Sequence, residues 1–203
     1  EAKIGADATE RSFKEKAKDA RVLHMAMHAF VDDDEPMNSK LVFYQDQDSI
    51  EDGFLHTFEL YNMRLNAEMA VLSACETGYG KLVNGEGIIS LARGFAYAGV
   101  PTVVMSHWQV DDESTKEIME KFYQYLSEGQ TKSGALRQAK LSYLESAKPA
   151  KTHPFFWSAF VVIGDDQPIE SDGTGKYTWL IISVVAIVIL FVLFRFRKGR
   201  QTA

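Results

Sequence analysis

The sequence predicts a mixed α/β fold built around a mainly parallel sheet. Short apolar runs of strand length recur along the chain, and segments with helical spacing of apolar residues lie between them. The two clearest runs, 21–28 and 69–75, are continuous rather than alternating, which is typical of parallel strands covered on both faces. Strands that alternate with helices in this way favour helical layers packed on one shared sheet.

The first half of the chain supplies two of the buried strands. An acidic loop containing Pro36 follows the first of them, and Asp52-Gly53 marks a turn. In chain order we expect a polar helix over 8–20, a buried strand over 21–28 and an edge strand or hairpin arm over 41–44. A short helix over 58–64 and a second buried strand over 69–75 follow.

The second half repeats the strand-then-helix order after a glycine-rich loop over 78–87. An amphipathic helix follows that loop and stops at Gly99, with Pro101 beyond it. A third strand is expected over 101–108 and a fourth over 155–163. Asp111 and Asp112 are placed to cap one intervening helix, and Ser133 to cap the other.

Composition limits the classes of function. The chain has 203 residues, 46% of them apolar, which is enough for one domain with a core and an appendage. Its formal charge is −6, and four basic residues lie within the last nine positions, so the rest is more acidic still. Nucleic-acid binding needs a basic surface and is not expected. The first residues read as a helix already in progress, so we expect a C-terminal piece of a longer protein.

The C-terminal region predicts a membrane anchor. Residues 177–194 carry no charge and would span about 27 Å as a helix, close to the hydrocarbon thickness of about 30 Å. We expect a polar linker at 166–176, a transmembrane helix at 177–194 and a basic tail at 195–203. The positive-inside rule favours a cytoplasmic tail and an extracytoplasmic domain, in a single-pass membrane protein. A tail-anchored protein with a cytosolic domain is the alternative.

One cysteine and one histidine are the candidate catalytic residues. Cys75 is the only cysteine in the sequence, so it forms no internal disulfide, and it ends the second buried run. His28 ends the first run, 47 positions earlier, and the carboxyl ends of neighbouring parallel strands meet in one crevice. The pair predicts a nucleophile and its acid/base, with the amides of Ala29 and Cys75 as oxyanion donors. A buried, inert thiol is the alternative interpretation.

Several motifs together resemble the CHAT domain, the caspase-like cysteine protease domain often found after tetratricopeptide repeats. The match runs from about Ile4 to Gly164, with the motifs in the family's order. The motifs are Leu72-Ser-Ala-Cys-Glu-Thr-Gly78, Gly85-Glu-Gly-Ile88, Ser106-His-Trp-Gln-Val-Asp-Asp112, Phe122-Tyr123, Ala135-Leu-Arg-Gln-Ala139 and His153-Pro-Phe-Phe-Trp-Ser-Ala-Phe-Val-Val-Ile-Gly164.

The resemblance implies a caspase-like three-layer sandwich, of which residues 1–165 are the C-terminal part. It implies that His28 and Cys75 form the catalytic dyad and that substrate binds between the strand ends near positions 28, 75 and 107. It also implies a repeat region upstream in the same protein. The sequence departs from the family pattern in two places. Met27-His-Ala29 replaces the usual Thr-His-Gly, and His107 replaces a usual leucine.

Three further residues are expected to line the substrate pocket. Ser73 resembles a pocket-lining position of caspases, and Asp111 and Asp112 resemble acidic residues of the related separases. An acidic pocket predicts cleavage after arginine or lysine. Helix capping is the alternative role of the two aspartates. We expect His24 to be a packed core residue.

The resulting hypothesis is a membrane-anchored cysteine endopeptidase that cleaves specific protein or peptide substrates and needs no metal or cofactor. One alternative is a catalytically inactive caspase-like module that serves as a membrane-tethered signalling or assembly domain. Another is a cysteine hydrolase acting on a non-peptide ester or amide.

Overall fold

The computed structural model describes residues 2–45, 50–73, 75–76, 86–108, 111–169 and 183, with residues 75, 76 and 86–88 described by their backbone. The chain divides into two compact units, residues 1–168 and 169–203, and the elements below belong to the first. The strands are β1 (Val22–Met25), β2 (His28–Phe30), β3 (Lys40–Val42), β4 (Phe54–His56), β5 (Met69–Leu72), β6 (Cys75–Glu76), β7 (Thr102–Ser106) and β8 (Phe160–Gly164). The α-helices are α1 (Glu10–Lys16), α2 (Thr57–Leu60), α3 (Glu86–Tyr97), α4 (Asp112–Ser127) and α5 (Lys132–Ser146).

One four-stranded sheet, sheet A, has the strand order β1-β5-β7-β8. Strands β1, β5 and β7 run parallel, and β8 is antiparallel to β7. Every residue of β5 and β7 is buried, as their continuous apolar sequences require. The predicted mixed α/β fold with a mainly parallel sheet is confirmed in this part of the molecule.

A second sheet, sheet B, has the order β4-β3-β2-β6. Its inner face is apolar: Ala29, Leu41 and Leu55 are register neighbours across three strands and are each 0% exposed. Strand β6 pairs with β2 in parallel, with His28 opposite Cys75 and Ala29 opposite Glu76. Sheet B therefore holds the positions of both proposed catalytic residues.

The first apolar run is divided between the two sheets, whereas the sequence predicts one strand over 21–28. Strand β1 ends at Met25, whose carbonyl oxygen accepts a hydrogen bond from Ser73 N (3.1 Å) just beyond the end of β5. After Ala26 and Met27 the chain enters sheet B at His28. The division places the histidine beside the end of sheet A rather than on it.

The helices begin where polar caps are available. Asp111 caps α4 by accepting a hydrogen bond from Ser114 N, as the sequence predicts, and Asp112 is the first helical residue. The cap of α5 is Thr131, which accepts from Gly134 N, and not the expected Ser133. Gly99 ends α3 at φ +108°, where an added Cβ would lie 2.9 Å from the carbonyl oxygen of Leu65.

The predicted transmembrane helix is wrong. Among the residues that the structure describes, no helix combines the length and the apolar character needed to cross a membrane. The longest of them, α4, has 16 residues, or about 24 Å, and carries charges along its length, whereas a span needs about 30 Å of apolar helix. Apart from Ser183, positions 177–194 lie outside the described residues. The predicted single-pass membrane localisation, in either orientation, depends on that helix and is therefore also wrong.

Candidate active site

The candidate dyad lies at the junction of the two sheets. His28 begins β2, and its Cα partner across the parallel ladder is Cys75, the first residue of β6. His28 is exposed, whereas the next residue, Ala29, is fully buried. The structure thus brings together the backbones of two positions that the sequence places 47 residues apart. The roles of both residues, and of the Ala29 and Cys75 amides, stay predictions.

An open pocket of about 510 Å³ adjoins His28. Its strand side is formed by the ends of β1 and β5 and the connection to β2, with His24, Ala26, Met27, His28 and Ser73. Its other side is one face of α4, where the lining residues recur every three or four positions, as one helix face requires. These are Asp112, Thr115, Lys116, Met119, Glu120 and Tyr123. Of the predicted substrate-binding residues, Ser73 and Asp112 line this pocket.

A hydrogen-bonded chain joins the two sides of the pocket through His24. Its Nδ1 lies 2.8 Å from the hydroxyl of Tyr123, and its Nε2 lies 3.1 Å from the hydroxyl of Ser73. Desolvation lowers the pKa of His24, although part of the side chain is open to the pocket, and raises the pKa of Tyr123. The imidazole and the phenol are therefore neutral near pH 7. The expectation that His24 is a packed core residue is wrong.

The two adjacent aspartates have different surroundings. The Oδ2 atom of Asp111 accepts hydrogen bonds from Lys151 Nζ (2.8 Å) and from the backbone and side chain of Ser114 (2.9 and 2.7 Å). The hydrogen bond from Lys151, followed by those from Ser114, lowers the pKa of Asp111 to about 2. Its carboxylate is committed to the helix cap and the ion pair.

Asp112, by contrast, is exposed at the pocket. Within the part of the chain that the structure describes, its carboxylate takes part in no hydrogen bond or ion pair. The other charged groups of the α4 face oppose one another, since Lys116 Nζ lies 3.9 Å from Glu120 Oε1. Among the described residues of the lining, Asp112 is therefore the carboxylate available to a ligand.

A separate acidic cluster has the spacing of a metal site but is already occupied by a cation. Among the described residues, the carboxylate oxygens of Glu10, Glu51 and Glu59 lie within 4.8 Å of one another. Lys14 Nζ lies 2.7, 2.7 and 2.8 Å from these three carboxylates. Burial opposes the charge on Lys14, but the three hydrogen bonds outweigh it and raise its pKa. The cluster therefore serves as an ion-pair network.

Comparison with known proteins agrees with this architecture. The family profile of the CHAT domain matches residues 1–165. The chain belongs to the CHAT domain family, a group of caspase-like, protease-related domains. The resemblance inferred from the sequence is thereby confirmed.

Two similar proteins are tetratricopeptide repeat proteins. Tetratricopeptide repeat protein 28 of Mus musculus is 32% identical over 113 residues, which cover 56% of this chain and 4% of that protein. The Homo sapiens protein of the same name is 30% identical over 122 residues, covering 60% of this chain and 5% of that protein. The chain therefore matches a small part of each relative, and both relatives are named for the repeats that the sequence predicts upstream.

Sequence reasoning missed most of the α4 side of the pocket. The signal was present, because polar residues at 112, 115, 116, 120 and 123 recur at helical spacing beside the apolar face of the same helix. The sequence does not say which element that polar face meets. The bond between His24 and Tyr123 joins residues 99 positions apart and needs the tertiary fold to be seen.

Proposed function

We propose that this CHAT domain is a cysteine endopeptidase in which Cys75 is the nucleophile and His28 is the general acid/base. The observation that carries the proposal is the parallel register of His28 with Cys75. Register partners on neighbouring strands lie side by side, which is the backbone arrangement that thiol–imidazole proton transfer needs. The exposure of His28 beside an open pocket gives a substrate access to it.

The reaction follows from these roles. The imidazole of His28 takes the thiol proton, and the thiolate of Cys75 attacks the scissile carbonyl carbon to form a tetrahedral oxyanion. The amides of Ala29 and Cys75 donate to that oxyanion. Collapse of the intermediate breaks the C–N bond, and the imidazolium protonates the leaving amine. Water then attacks the thioester with the imidazole as base, which releases the acid and restores the thiol.

The pocket supports a preference for cleavage after arginine or lysine. Ala26, Met27 and Met119 offer apolar contacts to an alkyl stem, and Asp112 offers an unpaired carboxylate to a cationic end. Asp111 is excluded from this role in our proposal, because its carboxylate is held by Lys151 and Ser114. We further propose that repeats elsewhere in the full-length protein select the protein substrates.

The test is covalent labelling with acyloxymethyl ketone peptides that carry arginine or aspartate next to the warhead. We expect the arginine probe to label the chain, Cys75→Ala to abolish labelling, and His28→Ala to slow it by about 100-fold or more. His153→Gln is the matched control, since His153 is exposed and lies outside the pocket lining.

Equal labelling of the wild type and His28→Ala would refute the dyad, and faster labelling by the aspartate probe would refute the basic preference. Absence of labelling by either probe would favour the non-catalytic module.

A further inference from the structure

The proposed specificity pocket contains a polar chain that the dyad does not use. His24 sits between Tyr123 on α4 and Ser73 beyond β5, with each ring nitrogen within hydrogen-bond distance of one hydroxyl. Ser73 is buried, and its amide is already used by the carbonyl oxygen of Met25. Its hydroxyl is therefore the group through which Ser73 can meet a ligand.

The protonation of His24 decides what Ser73 can offer. A neutral imidazole has one N–H donor and one acceptor nitrogen. When Nδ1 carries the hydrogen, it donates to the Tyr123 oxygen, and Nε2 accepts the hydroxyl hydrogen of Ser73. The lone pairs of Ser73 Oγ are then free to accept from a ligand. When Nε2 carries the hydrogen, it donates to Ser73 Oγ and takes one of the two lone pairs, and the serine hydroxyl donates to the carbonyl oxygen of Met25, which lies 3.5 Å away.

A cationic side chain favours the first arrangement, which leaves both lone pairs of Ser73 Oγ open. Guanidinium and ammonium groups are donors only, so a serine that meets them must act as an acceptor. An imidazolium has N–H donors on both sides, so it occupies an acceptor site of Ser73 and adds a positive charge to the same pocket. Protonation of His24 thus opposes a bound cation in two ways.

We propose that His24 is a specificity-determining residue of this pocket: its neutral imidazole leaves both lone pairs of Ser73 Oγ to a cationic substrate side chain, and its protonated form takes one lone pair and repels that side chain. The proposal rests on the proposed function for its substrate. Within the described lining, the other ionisable groups around His24 are His28 from β2 and Asp112, Lys116, Glu120 and Tyr123 from α4.

Carboxylates, lysine and tyrosine ordinarily keep their charge state between about pH 5.5 and 8, so an imidazole is the kind of group whose charge change can act in that interval. His28 lines the same pocket. The contribution of His24 is therefore measured as the difference between the wild type and His24→Gln, since both chains keep His28.

The kinetic test uses two peptides that differ only in arginine or its neutral isostere citrulline before the scissile bond. For the wild type, we expect the ratio of kcat/KM for arginine over citrulline to fall about tenfold between pH 7.5 and pH 5.5, mainly through KM. His24→Gln keeps His28, supplies a non-titrating acceptor and should remove most of this change with pH. A pH-independent ratio in the wild type, or an unchanged pH dependence in His24→Gln, would overturn the proposal.

A binding test separates this inference from the failure of the dyad. In the Cys75→Ala chain with isotope-labelled histidines, NMR titration follows the His24 imidazole with and without Nα-acetyl-arginine amide. Binding should lower the pKa of His24, and the citrulline analogue should leave it unchanged. A lowered pKa in Cys75→Ala, together with no labelling of the wild-type chain by either ketone probe, would support the pocket while refuting the peptidase. Equal effects of the two amides, or none from either, would refute the role of His24.

Discussion

Sheet A and sheet B differ in how much of each is covered by the rest of the domain. Strands β5 and β7 of sheet A are buried at every residue. In sheet B, residues alternate between the buried positions 29, 41 and 55 and more exposed neighbours such as Phe30, which is 44% exposed. Continuous apolar runs therefore mark the first sheet, and alternation over three residues marks the second.

The two sheets also differ in what attaches them to their surroundings. The first relies on apolar burial, whereas the β3–β4 end of sheet B is joined to α1 by polar contacts. Glu10 Oε2 accepts a hydrogen bond from Gly53 N (3.0 Å) before β4, and Lys14 binds Glu51 and Glu59 on either side of that strand. Sheet B, which includes the strand of His28, is therefore stabilised by both apolar packing and ion pairs.

The largest effect is expected in sheet A. Leu72→Ala removes a fully buried side chain at the end of β5 and should lower the free energy of unfolding by about 3 kcal/mol. Urea denaturation of the chain measures this change. A loss below about 1 kcal/mol would show that the end of β5 tolerates a cavity, which would weaken the distinction between the sheets.

An intermediate effect is expected at the ion-pair network. Lys14→Met leaves Glu10, whose side chain is 1% exposed, without its cation and should cost about 2 kcal/mol. Amide hydrogen exchange should accelerate in β3 and β4 before it does in β5 and β7. Lys18→Met, at an exposed lysine nearby in sequence, is the control. Equal acceleration in both sheets would mean that the network stabilises the whole domain rather than sheet B.

The smallest effect is expected on the outer face of sheet B. Phe30→Ser should change the free energy of unfolding by no more than about 0.5 kcal/mol, because the ring is already partly in water and its partner Lys40 lies 5.8 Å from the ring centre. The same urea measurement applies. A loss above about 1 kcal/mol would show that this face is packed more tightly than its exposure indicates.

Much of sheet A could be predicted from the sequence, and the reason is physical. Residues 69–72 and 102–106 are apolar throughout, so a strand buried on both faces is the structure that satisfies them. The cap at Asp111 was equally readable, because a side-chain oxygen before a helix has a local partner three residues later.

The division of the apolar run 21–28 between the two sheets could not be predicted from the sequence. Ala26 and Met27 are as apolar as their neighbours, and the change of sheet depends on Ser73 bonding Met25, a contact between residues 48 positions apart. The pocket depends likewise on α4 facing β1. Lys151, which together with Ser114 engages the Asp111 carboxylate, lies 40 residues beyond Asp111.

The short ladder between β2 and β6 has a consequence for how this site can fail. Among the described residues, two register pairs join these strands, and the other edge of β2, where Ala29 pairs with Leu41, helps to fix their alignment. A slip of one residue would carry Ala29 to the wet side of the sheet and bury the imidazole in its place. A substitution beneath sheet B can therefore misalign His28 and Cys75 while the domain remains folded.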